Sequence, residues 1–186
     1  TSLAPAAFAG SPASGLICRE CGHQTPLAPV HVCSECFAPL EVEYDESKLK
    51  LVTRASIEAG PQTIWRYAGL LPAGQDLATR VDLGAGMTKL REAPNLARAL
   101  GMRKLYVKDD SGNPTHSFKD RVVSVALSAA RAFGYETVSC ASTGNLANSV
   151  AAHATHVGLR AVVFIPSDLE QGKVVQTAVY GQTLVA

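Results

Sequence analysis

After residue 104 the apolar residues of the chain follow a regular alternation. Short runs of consecutive apolar residues, typical of buried strands, alternate with longer segments in which apolar residues recur at helical spacing. The predicted strands are residues 104–108, 137–141, 160–166 and 182–186, and the predicted helices are residues 117–133, 145–158 and 169–181. This order predicts an α/β fold with an open, mostly parallel sheet in three layers, because continuously apolar strands need helices on both faces.

The earlier part of the chain divides into three segments by composition. Residues 1–15 are rich in Ala, Pro, Ser and Gly, and we predict a flexible tail because few of their side chains can bury area. Residues 16–45 carry four cysteines and too few apolar residues to form a core unaided. In residues 46–80, prolines flank short apolar groups, which indicates a connector of short helices. The α/β domain then occupies residues 81–186 and begins with a further helix over residues 92–101.

Composition and charge narrow the class of protein. The 186 residues are 47% hydrophobic and 18% charged, which excludes a wholly disordered chain. A net charge of +1 gives no reason to expect nucleic acid or an anionic membrane as a partner. No apolar run approaches the roughly 20 residues that span a bilayer, and the first residues lack the pattern of a secretion signal. We therefore expect a soluble, cytoplasmic protein that acts on a small molecule.

Four of the five cysteines form two CxxC pairs, Cys18 with Cys21 and Cys33 with Cys36. Two tight turns at this spacing present four thiolates to one tetrahedral metal, so the segment is predicted to be a zinc-ribbon-like module. Four sulfurs leave no open coordination position, which assigns the zinc a structural role. Two disulfides or four free thiols are the alternative. Cys140 lies in a predicted strand and is interpreted as a small core residue.

The segment NPTHSFKDR, residues 113–121, joins a predicted strand to a long helix. Ser117 and Asp120 have the spacing of a capping box, which predicts Ser117 as the N-cap. Lys119 then lies in the first helical turn, where the helix dipole disfavours a cation. That placement suits a lysine whose neutral amine acts as a nucleophile. A solvated surface lysine is the alternative.

A second unusual turn follows the next predicted strand. Ser142, Thr143 and Asn145 bring two hydroxyls and an amide to a helix start at the carboxyl end of that strand. Free backbone N–H groups at such a turn bind a carboxylate or phosphate, although an ordinary N-cap explains the residues as well. His153 and His156 lack a third metal ligand nearby, so we interpret them as packed or surface residues.

In their order along the chain, these motifs resemble the threonine synthases, a family of fold-type II pyridoxal-phosphate enzymes. The resemblance covers residues 16–186 and rests on TIWRYAGLLP, KDDSGNPTHSFKDR and ASTGNLANS. It implies pyridoxal phosphate as cofactor and a lyase that converts O-phospho-L-homoserine and water to L-threonine and phosphate. It also implies a homodimer at full length, of which this chain is the N-terminal portion and is inactive alone.

The resemblance also implies roles for individual residues. Lys119 would bind the cofactor covalently and move protons, and Phe118 would lie beside the cofactor. Asn145 would hydrogen-bond the cofactor's ring hydroxyl, whereas Ser142 and Thr143 would bind the substrate carboxylate.

Two positions depart from the family pattern. Lys89 stands where a proline is usual and is expected to face water, and Leu146 stands where many relatives carry a hydroxyl residue. Two alternatives therefore stay open. One is another fold-type II β-replacement or elimination enzyme, similar to cysteate synthase. The other is a non-catalytic zinc-ribbon interaction protein.

Overall fold

The structure, a computed structural model, describes residues 8–186. The strands are Ala13–Cys18 (β1), Gln24–Thr25 (β2), Leu40–Tyr44 (β3), Lys89–Glu92 (β4), Tyr106–Asp109 (β5), Thr137–Ala141 (β6), Arg160–Phe164 (β7) and Thr183–Val185 (β8). The α-helices are Glu46–Leu49 (α1), Arg54–Glu58 (α2), Pro94–Ala99 (α3), Lys119–Ala132 (α4), Asn145–Val157 (α5) and Gln171–Ala178 (α6). Within the described range, none of the helices combines the length and apolarity needed to cross a bilayer.

The α/β part is built on a parallel sheet with the strand order β6-β7-β8. Helices α4 and α5 pack on each other, and α5 also packs on β6 and β7. The core between them contains Val123 and Leu127 of α4, Val150 and Ala154 of α5, and Ala161 of β7. These helices and parallel strands confirm the predicted α/β class.

The sheet differs from the predicted three layers, because helices cover one of its faces in the residues described. Val138, Cys140 and Ala161 face the core. On the opposite face, the side chains of Phe164 and Val185 are 47% and 40% exposed. Two consecutive right-handed crossovers in the same direction across a sheet place both helices on the same face, so α5 and α6 lie on one side.

The predicted strand at residues 104–108 also pairs differently from the expectation. It forms as β5 and pairs antiparallel with β4, with Leu90 opposite Lys108, instead of extending the parallel sheet. The helix predicted over residues 92–101 is present as the shorter α3, which begins at Pro94. Proline suits that position because the first helical N–H has no partner within the helix.

The cysteine-bearing segment folds as a small antiparallel sheet in the order β2-β1-β3. The flexible tail predicted for residues 1–15 is wrong from residue 8 onward, whereas residues 1–7 lie outside the described residues. Phe8 is buried and its ring centroid lies 4.7 Å from that of Phe133, just after α4. Leu16 joins the same apolar cluster. The sequence analysis missed this cluster because its partners are distant in the chain.

The connector consists of α1, α2 and a 3₁₀ segment, Ile64–Leu70, as short helical pieces were predicted. Trp65 anchors it to the α/β part, because its buried indole N–H donates to the carbonyl of Val81 at 3.1 Å. Gly74 approaches the ring so closely that a Cβ there would lie 2.1 Å from it. Only glycine fits that close approach.

Candidate functional site

Lys119 is the first residue of α4 and lies in a half-buried position. Its backbone N–H donates to the Ser117 hydroxyl at 3.2 Å. Its amine lies 4.9 Å from the ring centroid of Phe118, whose side chain is 54% exposed. The structure therefore places Phe118 beside the amine, on the open side of the helix start.

The predicted capping box does not form. Asp120 directs its carboxylate to Thr115, accepting from the backbone N–H at 2.7 Å and from the hydroxyl at 2.6 Å. Asp120 is fully buried, so its carboxylate needs these internal donors in place of water. The loop before Lys119 is thereby closed by a carboxylate five residues after Thr115 rather than by the predicted Ser117 cap.

A third donor to Asp120 comes from α5. The Ser149 hydroxyl donates to the Oδ1 of Asp120 at 2.6 Å. Asp120 and both of its partners, Thr115 and Ser149, are buried. The first turn of α4 is therefore hydrogen-bonded to the second turn of α5.

The same interface continues with His153, one turn further along α5. Its Nδ1 donates to the Ser149 carbonyl at 2.9 Å, because a carbonyl can only accept, and its Nε2 accepts from the Ser124 hydroxyl at 3.2 Å. Burial lowers the pKa of His153 below its usual 6.5, although the Ser149 carbonyl and the Asp120 charge oppose this effect. Of the two settings expected for His153, packed or at the surface, the structure shows the packed one, and the lowered pKa favours the neutral imidazole.

On the other side of Lys119, the helix start is held by an ion pair. Arg121 lies 2.9 Å from Asp110 and also donates to the Thr88 hydroxyl at 3.1 Å. Hydrogen bonds from Arg121 and Thr88 lower the pKa of the Asp110 carboxyl. The carboxylates of Asp110 and Asp120 are both engaged, so neither is paired with the amine of Lys119.

The turn after β6 contributes to two cavities. Asn145 lines a cavity of about 370 Å³ together with Thr115 and His116 from the loop before Lys119. Ser142 and Thr143 line another, of about 500 Å³, with residues at the end of β7. Lys119 lines neither of these two cavities. The structure therefore brings Asn145 to the lysine-bearing loop but places the two hydroxyls in a neighbouring recess.

His116, two residues before the helix, has a left-handed backbone with a φ of 59°. A non-glycine residue in this region carries conformational strain, which often marks a functional loop. Its Nδ1 donates to the Ser111 carbonyl at 2.9 Å and holds the loop in place.

The four cysteines converge on one point. Their sulfur atoms all lie within 4.8 Å of one another, with 3.4 Å between Cys18 and Cys36 and 3.6 Å between Cys21 and Cys33. Each CxxC pair is followed by a residue in the left-handed region, Gly22 with φ 73° and Phe37 with φ 59°. The two turns are therefore similar in backbone form, and their thiols can hold one metal ion.

The structure shows where Lys89 and Leu146, the two departures from the family pattern, lie. Lys89 is exposed at the start of β4, as expected. Leu146 packs against the core of the α/β part, which explains an apolar side chain after Asn145.

The sequence analysis missed the polar contact between α4 and α5. A signal was present, since Asp120, Ser124 and Ser128 repeat at intervals of four on one helix and Ser149 and His153 on the next. Residues at that spacing share one helix face. The hydrogen-bond partners of these residues could not be deduced, because a polar stripe on a single helix is equally typical of a solvent-exposed face.

The family model for "Pyridoxal-phosphate dependent enzyme" matches residues 81–186. The chain is 36% identical over 173 residues to the threonine synthase of Methanosarcina acetivorans and 35% identical over 170 residues to that of Methanocaldococcus jannaschii. The two alignments cover 92% and 90% of this chain but 42% of each relative. The chain therefore spans less than half the length of these relatives.

Among solved structures, the diaminopropionate ammonia lyase from Escherichia coli is similar with a TM-score of 0.50 and 22% sequence identity. The match covers 55% of this chain and 31% of that chain. At this identity, the similarity supports a shared fold and nothing finer.

The buried His153 predicts how the stability of the protein depends on pH. Because its pKa is lowered on folding, the unfolded chain binds more protons below pH 6.5, and stability is lost as the pH falls from 6.5 toward the folded pKa. One proton contributes at most about 1.4 kcal/mol per pH unit to this loss. The measurement is the free energy of unfolding at several pH values for the unmodified protein and for His153→Gln.

Removing the buried imidazole tests its part in the pH dependence directly. His153→Gln should reduce the pH dependence, because glutamine does not titrate. Equal pH dependence in the unmodified protein and His153→Gln would contradict the assignment.

Proposed function

Because the chain belongs to the pyridoxal-phosphate dependent enzymes, we propose that it forms part of a threonine synthase, which converts O-phospho-L-homoserine and water to L-threonine and phosphate. The observation that carries the proposal is Lys119, a lysine at a helix start whose neighbouring carboxylates are both engaged elsewhere. The identity to the two archaeal threonine synthases supports the choice of reaction.

The residues around Lys119 fit pyridoxal phosphate as cofactor. The amine is free of carboxylate partners on Asp110 and Asp120 and sits against the exposed ring of Phe118, so an aldehyde can reach it. Asn145 is exposed in the cavity that adjoins the lysine loop, where its amide can donate to a ring oxygen. When bound, the cofactor supplies an electron sink for a substrate carbanion.

Lys119 is proposed to have two tasks. Its neutral amine is the nucleophile that binds the cofactor, which requires that no carboxylate hold it as an ammonium ion. Once a substrate amine has displaced it, its Nζ is the base and acid that moves protons at the substrate carbons. Phe118 shields one side of the amine from water.

The turn before α5 is proposed to bind the substrate carboxylate. Gly144 precedes the helix without a side-chain cap, so backbone N–H groups of the first turn remain available to an anion. Ser142 and Thr143 add two hydroxyl donors at the carboxyl end of β6. Ligands in open α/β sheets bind at this end of the strands.

The four cysteines are proposed to hold a structural zinc ion. Tetrahedral zinc with Zn–S bonds of about 2.3 Å separates its sulfur ligands by about 3.8 Å. Three of the sulfur pairs here lie 3.4 to 3.6 Å apart, and all pairs lie within 4.8 Å. The backbone N–H of Cys21 lowers the pKa of the Cys18 thiol to about 7, which favours the thiolate that zinc requires. The pKa values of Cys21 and Cys36 are instead raised, by desolvation and by hydrogen bonds to the neighbouring thiols.

Leu146 favours a second candidate function. Leucine carries no hydroxyl that could donate to a phosphate beside Asn145, and its side chain packs into the core. Another β-replacement or elimination enzyme of the same family, similar to cysteate synthase, needs no such contact.

The first prediction from this proposal tests the reaction and its lysine. The full-length protein that contains this chain should release phosphate and form threonine from O-phosphohomoserine, and Lys119→Ala should lower kcat by a factor of about 100 or more. Borohydride reduction followed by peptide mapping should find the cofactor on Lys119. Lys89→Ala, a change at an exposed lysine outside the site, is the control.

The labelled lysine and the accepted substrate decide between the candidates. A label on Lys108 or Lys173 would overturn the assignment of Lys119. Cofactor bound at Lys119 without turnover of O-phosphohomoserine would favour the second candidate function.

A second prediction separates cofactor contacts from substrate contacts. Asn145→Ala should retain the cofactor but lower kcat, since its partner is the cofactor ring. Ser142→Ala and Thr143→Ala should mainly raise KM, by about ten- to hundredfold, because each removes a hydrogen bond to a charged group. Steady-state kinetics measure both effects. Unchanged kinetics in all three variants would make the turn an ordinary helix cap.

A third prediction concerns the metal. Colorimetric release should give about one zinc ion per chain, and the double change of Cys33→Ser and Cys36→Ser should abolish it. Cys140→Ser, in strand β6, is the control and should keep the metal. Protein that folds with its module intact and without metal would refute the zinc site.

A further inference from the structure

We propose that Asp120 is a positioning residue that sets the distance between Lys119 and Asn145 by binding Ser149. This inference rests on the proposed function, because it concerns the two residues assigned there to the cofactor. It goes beyond that function in naming the contact that holds their two helices in register.

The contact joins the site-bearing ends of both helices. Asp120 follows Lys119 directly, and Ser149 lies one helical turn after Asn145, a rise of about 6 Å. The Ser149 hydroxyl reaches Asp120 at 2.6 Å. A slip of α4 along α5 would therefore break this bond and move the amine of Lys119 relative to the Asn145 amide.

Asp120 also fixes the loop that leads into Lys119. Its other oxygen accepts the backbone N–H of Thr115 at 2.7 Å, and Thr115 lines the cavity that contains Asn145. One buried carboxylate thus binds the loop, the helix start and the neighbouring helix at once.

The surroundings of the Asp120 carboxylate favour a role in positioning the helices over a role in stabilising the fold. The carboxylate of Asp120 is 0% exposed and its hydrogen-bond donors are neutral, the backbone and hydroxyl of Thr115 and the hydroxyl of Ser149. The imidazole of His153, 3.8 Å away, is kept neutral by burial, which lowers its pKa. Burying a carboxylate without a cation costs free energy that a pair of apolar side chains would not. The contact therefore contributes a unique arrangement of the two helices rather than stability.

The polar stripe of α4 supplies a control at its far end. Ser128 lies on α4 eight residues after Asp120, about 12 Å further along the helix. It is fully buried, and its hydroxyl accepts the Val81 N–H at 2.9 Å and donates to the Ser124 carbonyl at 2.7 Å. Ser128→Ala removes buried hydrogen bonds, as Ser149→Ala does, but at the end of α4 that is remote from Lys119.

The test measures how fast added pyridoxal phosphate attaches to Lys119 in cofactor-free, full-length protein. The lysine nitrogen bonds to the aldehyde carbon with loss of water, and borohydride reduces the resulting double bond for quantification by peptide mass. Ser149→Ala should slow this attachment by about tenfold or more, because small displacements of a reacting group carry large rate costs. Asp120→Asn should also slow it, because its amide nitrogen would replace an acceptor oxygen that faces a donor. Ser128→Ala should match the unmodified protein.

The outcomes are distinct. Attachment at the unmodified rate in Ser149→Ala, or an equal slowing in Ser128→Ala at comparable melting temperature, would overturn the positioning role. Absence of any attachment to Lys119 in the unmodified protein would overturn the proposed function and this inference with it. If Asp120→Asn fails to fold, the pair of serine variants still decides the question.

Discussion

The hydrogen bond from Ser149 to the buried carboxylate of Asp120 is the contact on which the arrangement of the site depends. The next contact between the two helices, Ser124 with His153, advances by one turn on each. Helices α4 and α5 therefore run parallel, and both begin at the same end of the domain. Their positive dipole ends point to one place, which favours a ligand with phosphate and carboxylate groups.

The cysteine module acts at the other end of α4. Its apolar residues, with Phe8 and Leu16 among them, pack against Ala132 and Phe133, where the helix ends. Lys119 is separated from this contact by the length of the helix, about 20 Å. A metal bound by the module can thus stabilise the helix that carries the lysine but cannot take part in its chemistry.

Local patterns in the sequence were enough to predict much of this fold. The helices and strands after residue 137 and the short helical connector follow from periodicity and residue type. The pairing of β5 with β4 and the burial of Phe8 could not be predicted, because both depend on contacts between distant segments. The spacing of Asp120 from Ser117 suits a local cap, whereas in the folded chain its carboxylate accepts from both Thr115 and Ser149. Of these two contacts, the one with Ser149 joins distant segments and could not be predicted.

Helix α4 shows how one segment serves folding and chemistry together. Val123 and Leu127 bury its apolar stripe in the core. In the adjoining polar stripe, Asp120 and Ser124 form hydrogen bonds with α5, whereas Ser128 binds Val81 and the carbonyl of Ser124. Apolar packing tolerates small slips between helices, since dispersion contacts have no fixed direction. Hydrogen bonds between buried groups do not tolerate them, because each lost partner leaves a polar atom without water. The apolar stripe therefore supplies the association of α4 with α5, and the polar stripe sets the register of the two helix starts that carry Lys119 and Asn145.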